Sequence, residues 1–142
     1  MKRLLFILFV IIGQIQFAKA DTCDFCHVYF NGKIIDSFNV HNFGVGQITL
    51  KLSDLFENDS MTVMFWGDSR YGGNNTYLFV EGEKIDLVSK GIGSGTDNPI
   101  SISMKDILKA HKKSRYNTFK VYFKEESEKR PDRIYLFKIK LE

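Results

Sequence analysis

The chain has 142 residues, with 20 Lys and Arg against 17 Asp and Glu. The surplus of three positive charges lies in the first twenty residues, as Lys2, Arg3 and Lys19, and no acidic residue occurs there. Residues 21–142 are therefore neutral overall and long enough for one domain with its own core. A neutral chain lacks the basic surplus of most nucleic-acid-binding proteins, so we expect no nucleic-acid partner.

Residues 1–20 have the pattern of a secretory signal peptide. Lys2 and Arg3 form a positive start, residues 4–12 are apolar without interruption, and Ala18-Lys19-Ala20 is a small-x-small cleavage site. We expect cleavage after Ala20 and a secreted or periplasmic protein. No later apolar run is long enough to span a bilayer, so no transmembrane segment is expected.

Short runs with a period of two residues dominate the rest of the chain. The first two runs flank Asn31-Gly32, which is a strong signal for a two-residue hairpin turn. Further runs lie at 47–52, 61–66, 76–80, 84–88, 100–104, 118–123 and 133–141. About nine short strands separated by turn signals predict an all-β fold, a single antiparallel β-sandwich over 21–142 of Ig-like or jelly-roll-like character.

One short helix is expected at 104–113. Ser103 is placed to cap its first turn, and Lys112 and Lys113 complement the dipole at its carboxyl end. The helix also carries most of a basic cluster, which consists of Lys105, Lys109, Lys112, Lys113 and Arg115. Residues 21–104 hold 5 basic and 11 acidic residues and residues 105–142 hold 12 and 6, so an electrostatic partner is expected at this cluster.

The last run, 133–141, is expected to place Tyr135, Phe137, Ile139 and Leu141 in the core. Its lysines, Lys138 and Lys140, are typical of an edge strand protected against unwanted pairing. Because Ile134 and Leu136 are also apolar, pairing of this edge with another chain is a possible structural role. The oligomeric state is left open.

A faint internal repeat relates the two halves of the domain. The segment that begins at Ile48 resembles the one that begins at Ile100, at an offset of 52 residues, and the hairpin near Gly32 resembles the one near Gly82. This similarity predicts a duplication of residues 28–75 and 78–124, although alternating strands resemble one another in any case.

The spacing Cys23-x-x-Cys26-His27 supports several interpretations. In an oxidising compartment Cys23 and Cys26 can close a small disulfide ring, which is the favoured interpretation. The alternative is a c-type haem, with thioether bonds to both cysteines and His27 as an iron ligand, which would make the protein a small electron carrier. Redox exchange, and a zinc site that adds His41, are further alternatives. Otherwise we expect no cofactor.

A glycine-rich connection between two predicted strands carries the candidate ligand-binding residues. They are Trp66, Asp68, Arg70, Tyr71, Asn74 and Tyr77. Aromatic rings beside planar polar groups are typical of sites for sugar rings or peptides, and binding residues concentrate on loops. No nucleophile elbow, zinc-protease helix or phosphate loop is present, so we expect no enzyme. The sequence favours a non-catalytic binding module for an extracellular or cell-envelope glycan or protein.

Overall fold

A computed structural model describes residues 24–67, 75–94, 98–126 and 132–142. The predicted signal peptide therefore lies outside the described residues. The strands are β1 Phe25–Phe30, β2 Lys33–Asn39, β3 Gly46–Leu50, β4 Ser60–Trp66, β5 Asn75–Glu81, β6 Leu87–Ser94, β7 Ile100–Ser103, β8 Thr118–Glu125 and β9 Ile134–Leu141. A 3₁₀ turn spans Leu52–Asp54, and helix α1 spans Met104–Ser114.

The strands form two sheets with one core between them. The four-stranded sheet has the order β2-β1-β4-β7, and the five-stranded sheet has the order β3-β9-β8-β5-β6. Stacked rings join the sheets, with centroids 4.1 Å apart for Phe65 and Phe123 and 5.1 Å apart for Phe38 and Phe137. The prediction of a two-sheet β-sandwich with nine strands and one helix is confirmed.

Local sequence signals explain the hairpin and the helix. Asn31 and Gly32 both have positive φ angles, 49° and 79°, as a two-residue turn of the type that suits twisted strands requires. The Ser103 side chain accepts a hydrogen bond from the Lys105 N–H at 3.2 Å, which confirms the predicted cap of α1. The helix buries Ile107 and Leu108, so it covers one part of the core.

The two halves of the domain repeat the same order and pairing of elements. In the first half, β1 pairs with β2 and β4, while β3 belongs to the opposite sheet. In the second half, β5 pairs with β6 and β8, while β7 belongs to the opposite sheet. A helical segment follows β3 and β7 alike. This correspondence agrees with the predicted duplication, which stays a prediction.

The last strand corrects the prediction in two respects. It is not an edge, because β9 lies between β3 and β8. It also pairs with β3 in parallel, so the sandwich is not purely antiparallel. The repeated topology explains the parallel pair. In one half of the repeat β7 pairs antiparallel with β4, so the equivalent strand β3 would be antiparallel to β8. β9 is inserted between β3 and β8 and is also antiparallel to β8, so β3 and β9 are parallel to each other.

A register shift in β9 changes which side chains enter the core. Val121 is opposite Phe137 and Tyr122 is opposite Tyr135, which leaves Leu136 as an extra residue. Leu136 is fully buried, whereas Tyr135 faces outward against Tyr122. The predicted core position of Tyr135 is therefore wrong, because a bulge resets the alternation of a strand. Phe137, Ile139 and Leu141 are buried as predicted.

The sheets approach closely along one side of the sandwich, between β6 and β7. A Cβ atom on Gly91 would lie 2.6 Å from Cγ2 of Ile100 and 2.7 Å from the carbonyl oxygen of Ser101. Only a residue without a side chain fits at this distance. Each sheet therefore keeps one outward face, and the two faces are separate surfaces.

Candidate functional site

The structure does not bring together the two predicted site residues that it describes. Trp66 is the last residue of β4 in the four-stranded sheet, and Tyr77 lies in β5 of the five-stranded sheet. Both side chains alternate with buried neighbours and face outward, so they lie on opposite outer surfaces of the sandwich. Asp68, Arg70, Tyr71 and Asn74 lie outside the described residues. The candidate site is therefore sought separately on the two outward faces.

The outward face of the four-stranded sheet, here called the neutral face, carries no Asp, Glu, Lys or Arg among its described residues. Aromatic and aliphatic side chains occupy its centre, and small polar side chains surround them. The outward residues are Phe25, His27 and Tyr29 of β1, Ile34, Ser37 and Asn39 of β2, Ser60, Thr62, Met64 and Trp66 of β4, and Ser101 and Ser103 of β7. Depletion of charge with enrichment of aromatic rings and Met is typical of a contact surface.

Trp66 lies at the centre of a cluster of rings on the neutral face. Phe25 is its direct neighbour on β1, and the two rings stack with centroids 4.8 Å apart and an interplanar angle of 11°. The His27 ring meets the indole edge-on, also at 4.8 Å. Tyr29 extends the row, 6.4 Å from His27. Because these rings hold one another, the cluster presents a fixed apolar surface at low cost in side-chain entropy.

Hydroxyl groups complete the neutral face on its β7 side. Oγ1 of Thr62 and Oγ of Ser101 are 2.7 Å apart across the strands, in a hydrogen bond that either group can donate. Each hydroxyl keeps further capacity to donate or accept. The neutral face therefore combines rigid rings with groups suited to the hydroxyls of a ligand.

The side chains of Cys26 and His27 diverge in β1. Cys26 is fully buried beneath the neutral face, and burial raises the pKa of its thiol to about 12. The structure records this thiol as free, so it does not support the predicted disulfide, and Cys23 lies outside the described residues. His27 faces outward, because adjacent residues of a strand face opposite sides. One haem, or one zinc ion, cannot meet both side chains as placed, so these residues do not fit either alternative.

The outward face of the five-stranded sheet, here called the cationic face, has the opposite character. Six cations of the described ranges lie on or beside it: Lys90, Lys120, Lys124, Arg133, Lys138 and Lys140. Between them runs a row across four strands, in which Tyr135 is opposite Tyr122, Tyr122 is opposite Phe79, and Phe79 is opposite Lys90. Aromatic rings thus occupy the middle of the face, with lysines on both sides.

Several cations rest on the rings of the cationic face. The Lys90 Nζ lies 4.3 Å from the centre of the Tyr77 ring, and the Arg133 guanidinium lies 4.2 Å from that of Phe79. The Lys120 Nζ is 5.8 Å from the centre of the Tyr135 ring. Attraction between a cation and the face of a ring restricts these long side chains. The positive charges are therefore partly positioned before any ligand arrives.

Three carboxylates beside the cationic face are engaged locally. Glu81 forms a salt bridge with Arg133, and Glu142 forms one with Lys140 at 2.6 Å. Glu126 accepts hydrogen bonds from Nδ2 of Asn75 at 2.8 Å and from the Tyr77 hydroxyl at 3.2 Å, and these bonds hold the pKa of its carboxyl below the ordinary value. Loss of solvent raises the pKa of Tyr77, and Glu126 raises it further.

Four lysines remain on the cationic face without a salt bridge to any carboxylate in the described parts of the chain: Lys90, Lys120, Lys124 and Lys138. Two of them are direct cross-strand neighbours, Lys120 on β8 and Lys138 on β9. Like charges in this position repel each other and destabilise a sheet. Lys120 also lies opposite Glu81 on β5, but Arg133 already engages that carboxylate.

The predicted basic cluster on α1 is more balanced than the sequence indicates. Lys112 forms a salt bridge with Glu57 at 3.7 Å. Lys109 and Lys113 line a shallow groove of about 280 Å³ together with Asp86 and Asp106. Carboxylates from elsewhere in the chain therefore offset the charge of this helix. At Lys120 and Lys138 the one opposing carboxylate is that of Glu81 on β5, which lies opposite Lys120 but is engaged by Arg133.

Sequence reasoning missed the cationic face, although one signal for it was present. Within each of the last two strands the lysines are an even number of positions apart, Lys120 and Lys124 in one and Lys138 and Lys140 in the other, so each pair shares one face, and Tyr122 lies between the first two on that face. If β9 is predicted to be an edge strand, its lysines are explained as protection against unwanted pairing. Once β9 is known to be internal, the same lysines belong to one face.

Comparisons with known proteins give no relative for this chain: no family model, no curated protein and no solved structure matches it. In the four described stretches, no helix is long and apolar enough to cross a membrane. The same stretches contain no group of three or more His, Cys, Asp or Glu placed to hold a metal ion.

Proposed function

We propose that the protein is an exported, non-catalytic binding module that holds an uncharged glycan on the neutral face. The observation that carries the proposal is the row of mutually packed rings, centred on Trp66, on a sheet face whose described residues include no Asp, Glu, Lys or Arg. The Ig-like or jelly-roll-like character of the sandwich, and export by the signal peptide at 1–20, are part of this proposal.

Ring and hydroxyl chemistry support a glycan. The carbon-bound hydrogens of a sugar ring form an apolar surface that packs against aromatic side chains, while its hydroxyls need partners that both donate and accept hydrogen bonds. Phe25 and Trp66 supply the first kind of contact, and Thr62 and Ser101 supply the second. A neutral face imposes no desolvation of fixed charge when such a ligand binds.

The size of the neutral face favours an oligosaccharide over a protein surface. Four strands about 4.8 Å apart, with seven residues in the longest at about 3.4 Å each, cover roughly 450 Å². A stable protein interface buries about 800 Å² on each partner. A few sugar residues would cover a face of this size, and a protein partner would have to contact surface beyond it.

Binding to neutral polysaccharides tests the proposal. Cellulose, chitin, mannan, xylan and β-1,3-glucan are the probes, and depletion of the purified protein from solution is the measurement. We expect at least one of them to bind the protein, and Met64→Lys, which places a charge in the centre of the neutral face, to abolish that binding.

The matched control is Ile92→Lys, which adds the same charge on the opposite sheet. Ile92 is 67% exposed on β6, so a lysine is accommodated there without loss of packing. This variant is expected to bind like the wild type. Failure of the whole panel to bind, or equal loss of binding in both variants, would overturn the proposal.

A further inference from the structure

We infer that the cationic face is a second binding surface, for a polyanionic glycan that carries sulfate or carboxylate groups. This surface lies on a different sheet from the neutral face, so the inference does not depend on the proposed function. The observation that carries it is the like-charge pair of Lys120 and Lys138, neither of which forms a salt bridge within the described residues, beside a row of aromatic rings.

An anion would relieve the repulsion between the two opposed lysines of the face. Lys120 and Lys138 are directly opposite each other on β8 and β9, and the nearby carboxylate of Glu81 is already engaged by Arg133. An anionic group between the two ammonium groups would replace repulsion by two attractions. Lys124 offers a further positive charge on the other side of the aromatic row, roughly 13 Å from Lys120 along β8, and Lys90 lies at the β6 end of the row.

The arrangement of rings favours a glycan over a nucleic acid. Lys90 covers Tyr77 and Arg133 covers Phe79, so few rings are left on which the successive bases of a nucleic acid strand could stack. Tyr122 and Tyr135 are half-buried and 5.1 Å apart between the lysines. They form a short apolar strip beside positive charges, which suits a sugar ring whose substituents are anionic.

Preorganisation strengthens this assignment. Flexible lysines lose rotamer freedom when they bind an anion, which weakens binding. Lys90 and Lys120 already rest near rings, so part of that loss has occurred on folding. The lysines of α1 have no such contact with a ring in the described residues, and carboxylates accompany them.

Titration with soluble polymers tests the inference. The probes are dextran sulfate, polygalacturonate, unmodified dextran, poly-L-glutamate and duplex DNA, measured by isothermal calorimetry at low and high salt. We expect dextran sulfate or polygalacturonate to bind the wild type at low salt, with weaker binding at high salt because the contacts are screened. Dextran is uncharged and should not bind to the cationic face. Binding of dextran elsewhere on the protein should therefore be the same in the wild type and in the variants of the cationic face.

The variant combines Lys90→Gln, Lys120→Gln and Lys138→Gln, and its matched control combines Lys109→Gln, Lys112→Gln and Lys113→Gln. Both remove three positive charges from exposed or half-exposed positions. We expect the sheet variant to lose roughly tenfold or more in affinity for the anionic glycan and the helix variant to lose much less. Thermal unfolding of both variants establishes that they are folded.

Three outcomes would overturn the inference. One is absence of binding to both anionic glycans. Another is a greater loss in the helix variant than in the sheet variant, which would locate the site on α1. The last is equal or tighter binding of poly-L-glutamate or duplex DNA, which would show that the face has no preference for sugar rings.

Discussion

The two outward faces of the sandwich share the same strand geometry but differ in chemistry. On the neutral face, rings pack against one another and small hydroxyls surround them. On the cationic face, rings pack beneath lysines and an arginine. Ordinary solvated sheet faces mix both charges with small polar groups, whereas the described part of one face here has no Asp, Glu, Lys or Arg and that of the other has an excess of positive charge.

This difference shows what each face is suited to contact. Removing water from a surface without fixed charge costs little free energy, so the apolar and hydroxyl groups of a neutral ligand can replace water there. A surface with unpaired lysines attracts anions at a distance and loses that advantage in salt. The same aromatic residue type therefore serves as a contact surface on one sheet and as a support for cations on the other.

Removal of the indole is expected to have the largest effect. Trp66→Ala deletes the contacts with Phe25 and His27, so the neutral face should lose at least roughly tenfold in affinity for its polysaccharide. The free energy of unfolding should fall by about 2 kcal/mol, measured by urea titration. Tyr122→Ala deletes a ring from the other face and should leave that affinity unchanged. An equal loss in both variants would contradict the separation of the two faces.

Release of Arg133 should strengthen the cationic face at the expense of stability. Glu81→Gln removes the negative partner of this arginine, so affinity for dextran sulfate should rise. The free energy of unfolding should fall by about 1 kcal/mol, because the salt bridge is partly buried on the Glu81 side. Calorimetry and urea titration measure the two effects. Weaker binding of dextran sulfate by this variant would show that Glu81 itself belongs to the contact surface.

Relief of the like-charge pair should stabilise the protein slightly. Lys138→Thr removes the repulsion with Lys120 across β8 and β9, so stability should rise by about 0.3 to 0.5 kcal/mol at low salt and return to the wild-type value at high salt. Lys140→Thr is the control, since Lys140 is paired with Glu142 and should not stabilise the protein when it is removed. A gain that persists at high salt would refute the electrostatic explanation.

The smallest expected effect concerns the pH dependence that Glu126 contributes. Its pKa is lowered in the folded protein, so the unfolded chain binds its proton more readily. Its contribution to stability is present above the ordinary carboxyl pKa and is lost as the pH falls through the folded value. Urea titrations at pH 6 and pH 3 should therefore show a smaller loss of stability in Glu126→Gln than in the wild type. An identical loss would mean that the bonds from Asn75 and Tyr77 do not favour the carboxylate.

Much of the fold could be predicted because local signals determine it. Asn31-Gly32 specifies a hairpin turn, Ser103 specifies the start of α1, and the alternation of apolar residues specifies most strands. The position of β9 inside its sheet could not be predicted, because strand order depends on pairing between distant segments. The bulge at Leu136 was hidden for a similar reason, since it is defined by its partner on β8.

The site was harder to predict than the fold. Trp66 and Tyr77 are close in the sequence, and closeness suggested one shared loop site. A sandwich separates such residues when consecutive strands belong to different sheets, as β4 and β5 do. Conversely, Phe25 and Trp66 are distant in the sequence and become direct neighbours only through the pairing of β1 with β4.

The fluorescence of Trp66 tests the distinction between the faces most directly, because it is the only tryptophan of the chain and lies on the neutral face. Titration with the polysaccharide that binds this face should shift the emission to shorter wavelength, since a bound sugar excludes water from the indole. Titration with dextran sulfate should leave the emission unchanged while calorimetry still records binding. A shift of the emission by dextran sulfate, or saturating binding of the neutral polysaccharide without any shift, would contradict the assignment of two separate faces.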